Sequence, residues 1–252
     1  MTLAQALEKS GRCGFVPFVT AEAASAKYAR ILKAEGADIL ELGVPFSDPV
    51  ADGPTIQAAS ERALKAGMTL KKALALAGKI YAAGGPPVII FTYLNPILRL
   101  GREAFARLCR ANHVKGVLIV DLPAEEWAPW KALLEKFEVE PVLLASPTTT
   151  DERLRLIGKL SGSVVYYVSR EGVTGVRQGT APKIGARLRH VARITAKPLM
   201  AGFGVATAQQ ARALAPHCAG VVVGSALVAA AHEGGAKGLA RAARGVVAGL
   251  RR

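Results

Sequence analysis

Short β-rich runs alternate with Ala/Leu-rich helical segments about eight times in 252 residues, and most of these runs are apolar on both faces. Together the two observations predict an α/β chain of the (β/α)8 TIM-barrel class. A parallel strand buried between a barrel interior and a helix layer has no solvent side, so it loses the alternation of a half-exposed strand. A doubly wound open sheet shows the same order of elements and is the competing architecture. No Pro/Gly/Ser-rich linker divides the chain, so residues 1–252 read as a single TIM-barrel domain.

Each repeat has its own signal. GFVPFVT at 14–20 is rich in aromatic and β-branched residues, and a helical segment follows at 21–35. DILELG at 38–43 precedes a long helical stretch at 55–83, and PVIIFTYL at 87–94 precedes one at 101–111. KGVLIVDLP at 115–123 leads into 124–137, and EPVLLAS at 140–146 leads into 151–160. GSVVYYVS at 162–169 is followed by a helix at 182–195, KPLMAGFG at 197–204 by 206–214, and AGVVVGSA at 219–226 by 235–250. Apolar residues recur at helical spacing in the second member of each pair.

Composition narrows the class further. Hydrophobic residues are 51% and charged residues 21%, as in a globular chain with a substantial core. No apolar run approaches the roughly 20 residues of a membrane span. MTLAQALEKSGRCGF lacks the apolar centre of a secretory signal, so a cytoplasmic location with no membrane contact is expected. Cys13, Cys109 and Cys218 are odd in number, far apart and without a CxxC pair, which argues against a disulfide framework or a zinc site. The net charge is +14, and residues 183–252 hold 11 Lys or Arg against one acidic residue, Glu233. These basic residues fall singly along helices, as in AKGLARAARGVVAGLRR, and no nucleic-acid signature accompanies them. A basic solvated surface is expected, with no nucleic-acid partner.

A barrel of this class builds its active site at the C-terminal ends of its strands. The histidines fall elsewhere: His113 and His217 precede strands, and His190 and His232 lie in helices. Lys115 and Lys197 begin strands, so no lysine is placed as a Schiff-base nucleophile, and no cluster has metal-ligand spacing. What remains at the catalytic end is mostly carboxylate, Glu41, Asp48, Asp52 and Asp121, together with Tyr93 and Asn95. Strand alternation puts Ile39 and Glu41 on one face and Leu40 and Leu42 on the other. An inward Glu41 would have its pKa raised by desolvation, which suits a group that gives and takes a proton near neutrality. The plainer alternative is a glutamate held by a tyrosine or by backbone donors for structural reasons.

The later strands end in glycine. SREGVTG at 169–175, AGFG at 201–204 and VGSA at 223–226 follow three adjacent strands. Glycine lets backbone N–H groups approach an anion, and a short helix starting at Gly224–Ser225 would aim its positive end there. The three turns point to a phosphorylated small-molecule ligand with carboxylates at its other end.

LELGVPFSDPVADGPT at 40–55 closely resembles the signature of the tryptophan synthase alpha chain family. FVPFVT at 15–20, VSREGVTG at 168–175 and GFGV at 202–205 match other segments of that family in order. The resemblance covers essentially the whole chain. It implies a TIM-barrel lyase of tryptophan biosynthesis that cleaves indole-3-glycerol phosphate to indole and glyceraldehyde 3-phosphate. It further implies a partner, a pyridoxal-phosphate beta chain that receives the indole in an alpha-beta-beta-alpha complex, and no metal or organic cofactor in this chain. By the same resemblance Glu41 falls on the catalytic glutamate and Asp52 on the catalytic aspartate. Phe18, Tyr93, Leu118, Tyr166 and Phe203 fall where the family lines its indole pocket, although an aromatic on a strand is also ordinary core. Gly175, Gly204, Gly224 and Ser225 match its phosphate-binding positions. Thr174 lies in a loop that closes over substrate, and Asp48 in a loop that faces the partner, where it also reads as a turn residue.

The sequence departs from the family in three places. AEAASAKY follows FVT where a Gly and Pro turn is usual, the N-terminus is short, and GVRQGTAPKI is unusually basic. None touches Glu41 or Asp52. The alternative readings are a weakly active subunit kept to activate the beta chain, or another phosphate-binding barrel such as indole-glycerol-phosphate synthase. The latter calls for a catalytic lysine at a strand end.

Overall fold

The computed structural model describes residues 1–9, 11–168 and 180–250. Nine strand segments form one parallel sheet: β1 (Gly14–Thr20), β2 (Leu40–Gly43), β3 (Val88–Thr92), β4 (Val114–Ile119), β5 (Glu140–Pro141), β6 (Leu144–Ala145), β7 (Val165–Val168), β8 (Leu199–Gly202) and β9 (Gly220–Val223). Their order is β5-β4-β3-β2-β1-β9-β8-β7-β6. The outermost segments, β5 and β6, are the two ends of one run. Val142 N donates to Val117 O at 2.9 Å, and Tyr166 N donates to Leu143 O at 3.0 Å. The ring closes through residues 140–145, which accounts for eight barrel strands. A barrel's strands are staggered, so this short run meets its two neighbours at different ends.

Alternation divides the core into two shells. Val16, Ile39, Ile89, Leu118, Val142, Tyr166, Met200 and Val222 fill the barrel interior. Phe15, Leu40, Leu42, Ile90, Tyr167 and Val221 face the helix layer. Glu41 therefore shares the inward face of Ile39, as the sequence predicts.

The floor of the barrel is a helix that periodicity does not reveal, α1 (Leu3–Glu8). Leu3 and Leu7 belong to the interior cluster. Glycine makes room for them: a Cβ on Gly14 or Gly220 would lie 2.5 or 2.9 Å from Leu7 Cδ2. Thr2 and Gln5 form a capping box. Leu3 N donates to Glu140 Oε1 at 2.8 Å and Ala4 N to Ser163 Oγ at 3.0 Å. The free N–H groups of the first turn are thus tied to the fifth barrel strand and to Ser163, which leads into the sixth.

The helix layer contains α2 (Ser25–Ala34), α3 (Pro54–Lys65), α4 (Leu70–Ala82), α5 (Leu94–Leu100), α6 (Arg102–Ala111), α7 (Trp127–Lys136), α8 (Asp151–Leu160), α9 (Thr180–Thr195), α10 (Ala208–Leu214) and α11 (Ser225–Val247). Two assignments from sequence are corrected. The stretch 55–83 is two helices, because Gly67 at φ +76° ends one turn and Thr69 caps the next, accepting from Lys72 N. The third strand stops at Thr92, and α5 begins where Asp121 Oδ1 accepts from Leu94 N at 2.8 Å. The short helix that the sequence starts at Gly224–Ser225 is the first part of α11, and Gly235, non-helical at φ +54°, divides it from the segment that the sequence starts at 235. Among the described residues, no helix is long and apolar enough to cross a membrane. Cys13 and Cys218, distant in sequence, bring their sulfurs to 3.9 Å without a disulfide bond.

Candidate active site

Glu41 lies on β2 in parallel register between Phe18 of β1 and Ile89 of β3. It is fully buried, and neither carboxylate oxygen has a hydrogen-bond partner among the described residues. The structural alternative required donors to hold this group, and none of the described residues supplies them. Desolvation raises its pKa to about 8. An unpaired buried carboxylate is expensive in a resting fold and useful in a proton-transfer site.

Phe18 closes one side of the mouth, packing edge-on to Phe91 with ring centroids 5.4 Å apart. It lies directly over Gly43, where a Cβ would sit 2.3 Å from Phe18 Cζ. This glycine was not singled out from sequence, because a glycine ending a strand does not reveal which ring crosses it. Gly202 plays a related part: a Cβ there would come within 3.0 Å of Tyr166 Oη.

Asp52 sits in the loop between β2 and α3. Its carbonyl accepts from Gln57 Nε2 at 2.9 Å, which pins the loop to the first turn of the helix. Tyr93 fixes the side chain: its hydroxyl donates to Asp52 Oδ2 at 3.1 Å and accepts from Ala51 N at 3.1 Å. The Tyr93 ring stacks on Phe46 with centroids 4.8 Å apart. Burial pushes the Asp52 carboxyl above its usual range, and the Tyr93 hydrogen bond pulls it back down. The Tyr166 phenol is raised far above its ordinary value by burial, then by the charges of Glu41 and of Asp52. Both carboxylates therefore act on one hydroxyl inside the barrel.

The remaining candidates divide. Leu118 joins Tyr166 in the interior cluster. Phe203 packs instead in the outer cluster, stacked on Tyr167 at 5.6 Å. Gly204 turns the chain at φ +66° after β8. On the neighbouring strand Gly224 is the N-cap of α11, with no side chain capping the helix and no acidic residue in its first turn. Leu227 N and Val228 N donate back to Gly224 O, so the N–H groups of Ser225 and Ala226 precede the intrahelical bonding. That is an anion-binding end. Thr174 and Gly175 lie outside the described residues. Asp48 is exposed and accepts from Ser47 Oγ at 2.7 Å. Asp121, a candidate by position, caps α5 and serves the fold. Among the described residues no group of three or more His, Cys, Asp and Glu is gathered to hold a metal.

Fold and site define a (β/α)8-barrel enzyme with a buried, unpartnered carboxyl on its inward face and an uncapped helix start after its last strand. Comparison with known proteins makes the class specific. The family described as tryptophan synthase alpha chain matches residues 4–248. A tryptophan synthase alpha chain of Burkholderia cenocepacia is 42% identical over 252 residues, covering 98% of this chain and 93% of the relative. That of Geobacillus kaustophilus is 47% identical over 219 residues, covering 85% and 81%. The crystal structure of the alpha subunit from Legionella pneumophila superposes with a TM-score of 0.90 at 30% identity, covering 99% of this chain and 98% of that one. A Mycobacterium tuberculosis tryptophan synthase structure gives 0.89 at 35% identity, covering 99% and 97%. The chain belongs to the tryptophan synthase alpha chain family, whose reaction is a lyase reaction on indole-3-glycerol phosphate.

Proposed function

We propose that this chain cleaves indole-3-glycerol phosphate to indole and glyceraldehyde 3-phosphate with Glu41 as the proton-transfer group. The observation that carries the reading is the buried, unpartnered Glu41 carboxyl, protonated near neutrality and facing the same interior as Asp52 and Tyr166. Cleavage needs a proton on indole C3, so that the ring accepts the electron pair of the breaking bond in the opposite sense to aromatic substitution. It also needs a proton removed from the glycerol hydroxyl on the adjacent carbon. Protonated Glu41 gives the first, and the resulting carboxylate takes the second. The carbon–carbon bond then breaks, the hydroxyl carbon becomes the aldehyde, and Glu41 ends in its starting state.

Asp52, oriented by Tyr93, accepts from the indole N–H and stabilises the positive charge that develops on the ring. Phe18, Leu118 and Tyr166 surround the apolar end of the substrate. Gly204, Gly224 and Ser225, with Gly175, hold the phosphate through backbone N–H groups. No metal or organic cofactor of this chain enters the sequence of steps.

The same reading includes a beta chain that carries pyridoxal phosphate and receives the indole in an alpha-beta-beta-alpha assembly in the cytoplasm. Two observations support a protein partner at the catalytic face. Val50, beside Asp48, is 75% exposed and Leu98 is 48% exposed. An open groove of about 630 Å³ is lined by Phe46, Leu64, Met68, Pro96 and Leu100; Phe46 comes from the same loop as Val50, and Pro96 and Leu100 from the same helix as Leu98. Apolar surface of this kind marks an interaction site.

The deciding experiment is indole formation from indole-3-glycerol phosphate, with and without a beta chain. Glu41→Gln should remove about 10²–10⁴-fold of the rate while leaving glycerol phosphate binding intact. Near-normal turnover in a folded Gln variant would falsify the assignment. A wild-type chain that stimulates the beta reaction but forms no indole would establish the activator reading instead.

A further inference from the structure

A second cavity, of about 210 Å³, lies outside the barrel among the end of β1, α2, α3 and α11. Its apolar wall includes Val19, Ala59 and Leu227, and its polar lining is Thr20, Glu22, Tyr28, Arg62 and His232. Among the described residues these side chains accept or donate no hydrogen bond, although the Arg62 charge also acts on the neighbouring Glu61 carboxylate. Thr20 is only 5% exposed, and its hydroxyl has no hydrogen-bond partner among the described residues. A buried hydroxyl in that state carries an unmet desolvation penalty. Among the described residues, the side chains of Glu22, Arg62 and His232 form no ion pair or hydrogen bond with one another or with other groups. Burial and then the Glu22 charge raise the Tyr28 phenol, so the carboxylate and the phenol share one wall.

A carboxylate and a guanidinium that line one cavity without pairing leave room for a ligand of both charges. We infer that this cavity binds a small zwitterion, an α-amino acid with a short aliphatic side chain. Arg62 takes its carboxylate, Glu22 takes its ammonium, Thr20 supplies a hydroxyl, and the side chain rests among Val19, Ala59 and Leu227. Size sets the scale: a closed cavity of about 150 Å³ holds benzene, so this one, open to solvent beside Arg62 and His232, suits a ligand of about seven to ten non-hydrogen atoms. Valine and leucine fit, and tryptophan does not. The inference does not depend on the lyase reaction.

Calorimetric titration of the whole chain with L-leucine and L-valine tests it. The controls are 4-methylpentanoate, which lacks the ammonium, 3-methylbutylamine, which lacks the carboxylate, and L-tryptophan. The expected result is saturable binding of leucine or valine, at least about tenfold tighter than either single-charge analogue, with no binding of tryptophan. Arg62→Gln and Glu22→Gln, at accessible positions, should each weaken binding about tenfold or more with an unchanged melting temperature. No saturation by either amino acid at millimolar concentration overturns the proposal. So does equal binding of the carboxylate alone, or retention of affinity in both folded variants.

Discussion

At the scale of the residue, one carboxyl group carries the burial cost on which the proposed proton transfer rests. The pKa of Glu41 rises by burial from an ordinary 4.5 to about 8 in the folded chain. Between those values the folded state keeps a proton that the unfolded state has lost, so stability falls as pH rises through this window. Glu41→Gln has no such titration. Its melting temperature should therefore gain on that of the parent chain as pH rises from about 5 to about 9, although its activity is lost. Parallel melting curves across that range would show that Glu41 does not carry the burial cost. For the parent chain, kcat/KM should fall as pH rises through about 8, because the free enzyme must start protonated. Gly43→Ala tests the other side of the mouth. With a Cβ 2.3 Å from Phe18 Cζ, the ring must move. Overpacking of this kind costs about 1–3 kcal/mol, and kcat/KM should drop, with partial recovery in the double variant Gly43→Ala/Phe18→Leu. An inward Glu41 was legible in the sequence through the Ile39–Glu41 alternation, and Asp52 through its motif. The dependence of Phe18 on Gly43 was not, because a close approach between strands is a property of register and leaves no local pattern.

At the scale of the element, the helices that sequence revealed mostly carry apolar spacing over ten or more residues, the seven-residue α10 being the exception. What it missed is short or interrupted. α1 has six residues and owes its place to a capping box, a glycine socket and the Glu140 acceptor. α5 begins inside an apolar run that reads as strand, and its start depends on Asp121, 27 residues further on. The break between α3 and α4 was present as Ala66-Gly67, but a single glycine inside a helical pattern does not by itself declare a stop. Glu140 gives the element-scale prediction. It accepts from Leu3 N at 2.8 Å and from Ser163 N at 2.7 Å, across the floor of the barrel. Glu140→Ala leaves both donors unmet, at about 1–3 kcal/mol. For a chain of this size that lowers the melting temperature by about 2–4 °C per kcal/mol. Indole formation at assay temperature should change little, because the floor lies at the opposite end from the catalytic face. A large loss of activity without a loss of stability would show that α1 communicates with the mouth.

At the scale of the molecule, part of the positive charge has structural work that a purely solvated surface does not explain. Arg187 on α9 donates to the carbonyls of Pro147 and Thr149 at 3.2 and 2.8 Å, and Arg244 on α11 pairs with Glu35 at 2.6 Å. These contacts tie the helix layer together, and on the proposed reading the catalytic face is left to couple two binding events. The loop that carries Asp52 also carries Asp48 and the exposed Val50, so a partner docking on Val50 acts on the segment that Tyr93 fixes. A phosphate ligand and a beta chain that both favour one arrangement of this loop must each tighten the other by the same factor. Asp48→Ala removes the Ser47 contact and loosens the loop without touching Gly204, Gly224 or Ser225. It should therefore reduce the coupling factor, typically about 5–150-fold in such systems, far more than it weakens glycerol phosphate binding to the isolated chain. Titrating a beta chain into the labelled protein, with and without glycerol phosphate, measures both quantities. If the beta chain binds the parent protein equally tightly in the two titrations, and indole formation does not rise on docking, the catalytic-face loop does not link the sites and the chain works as an uncoupled lyase.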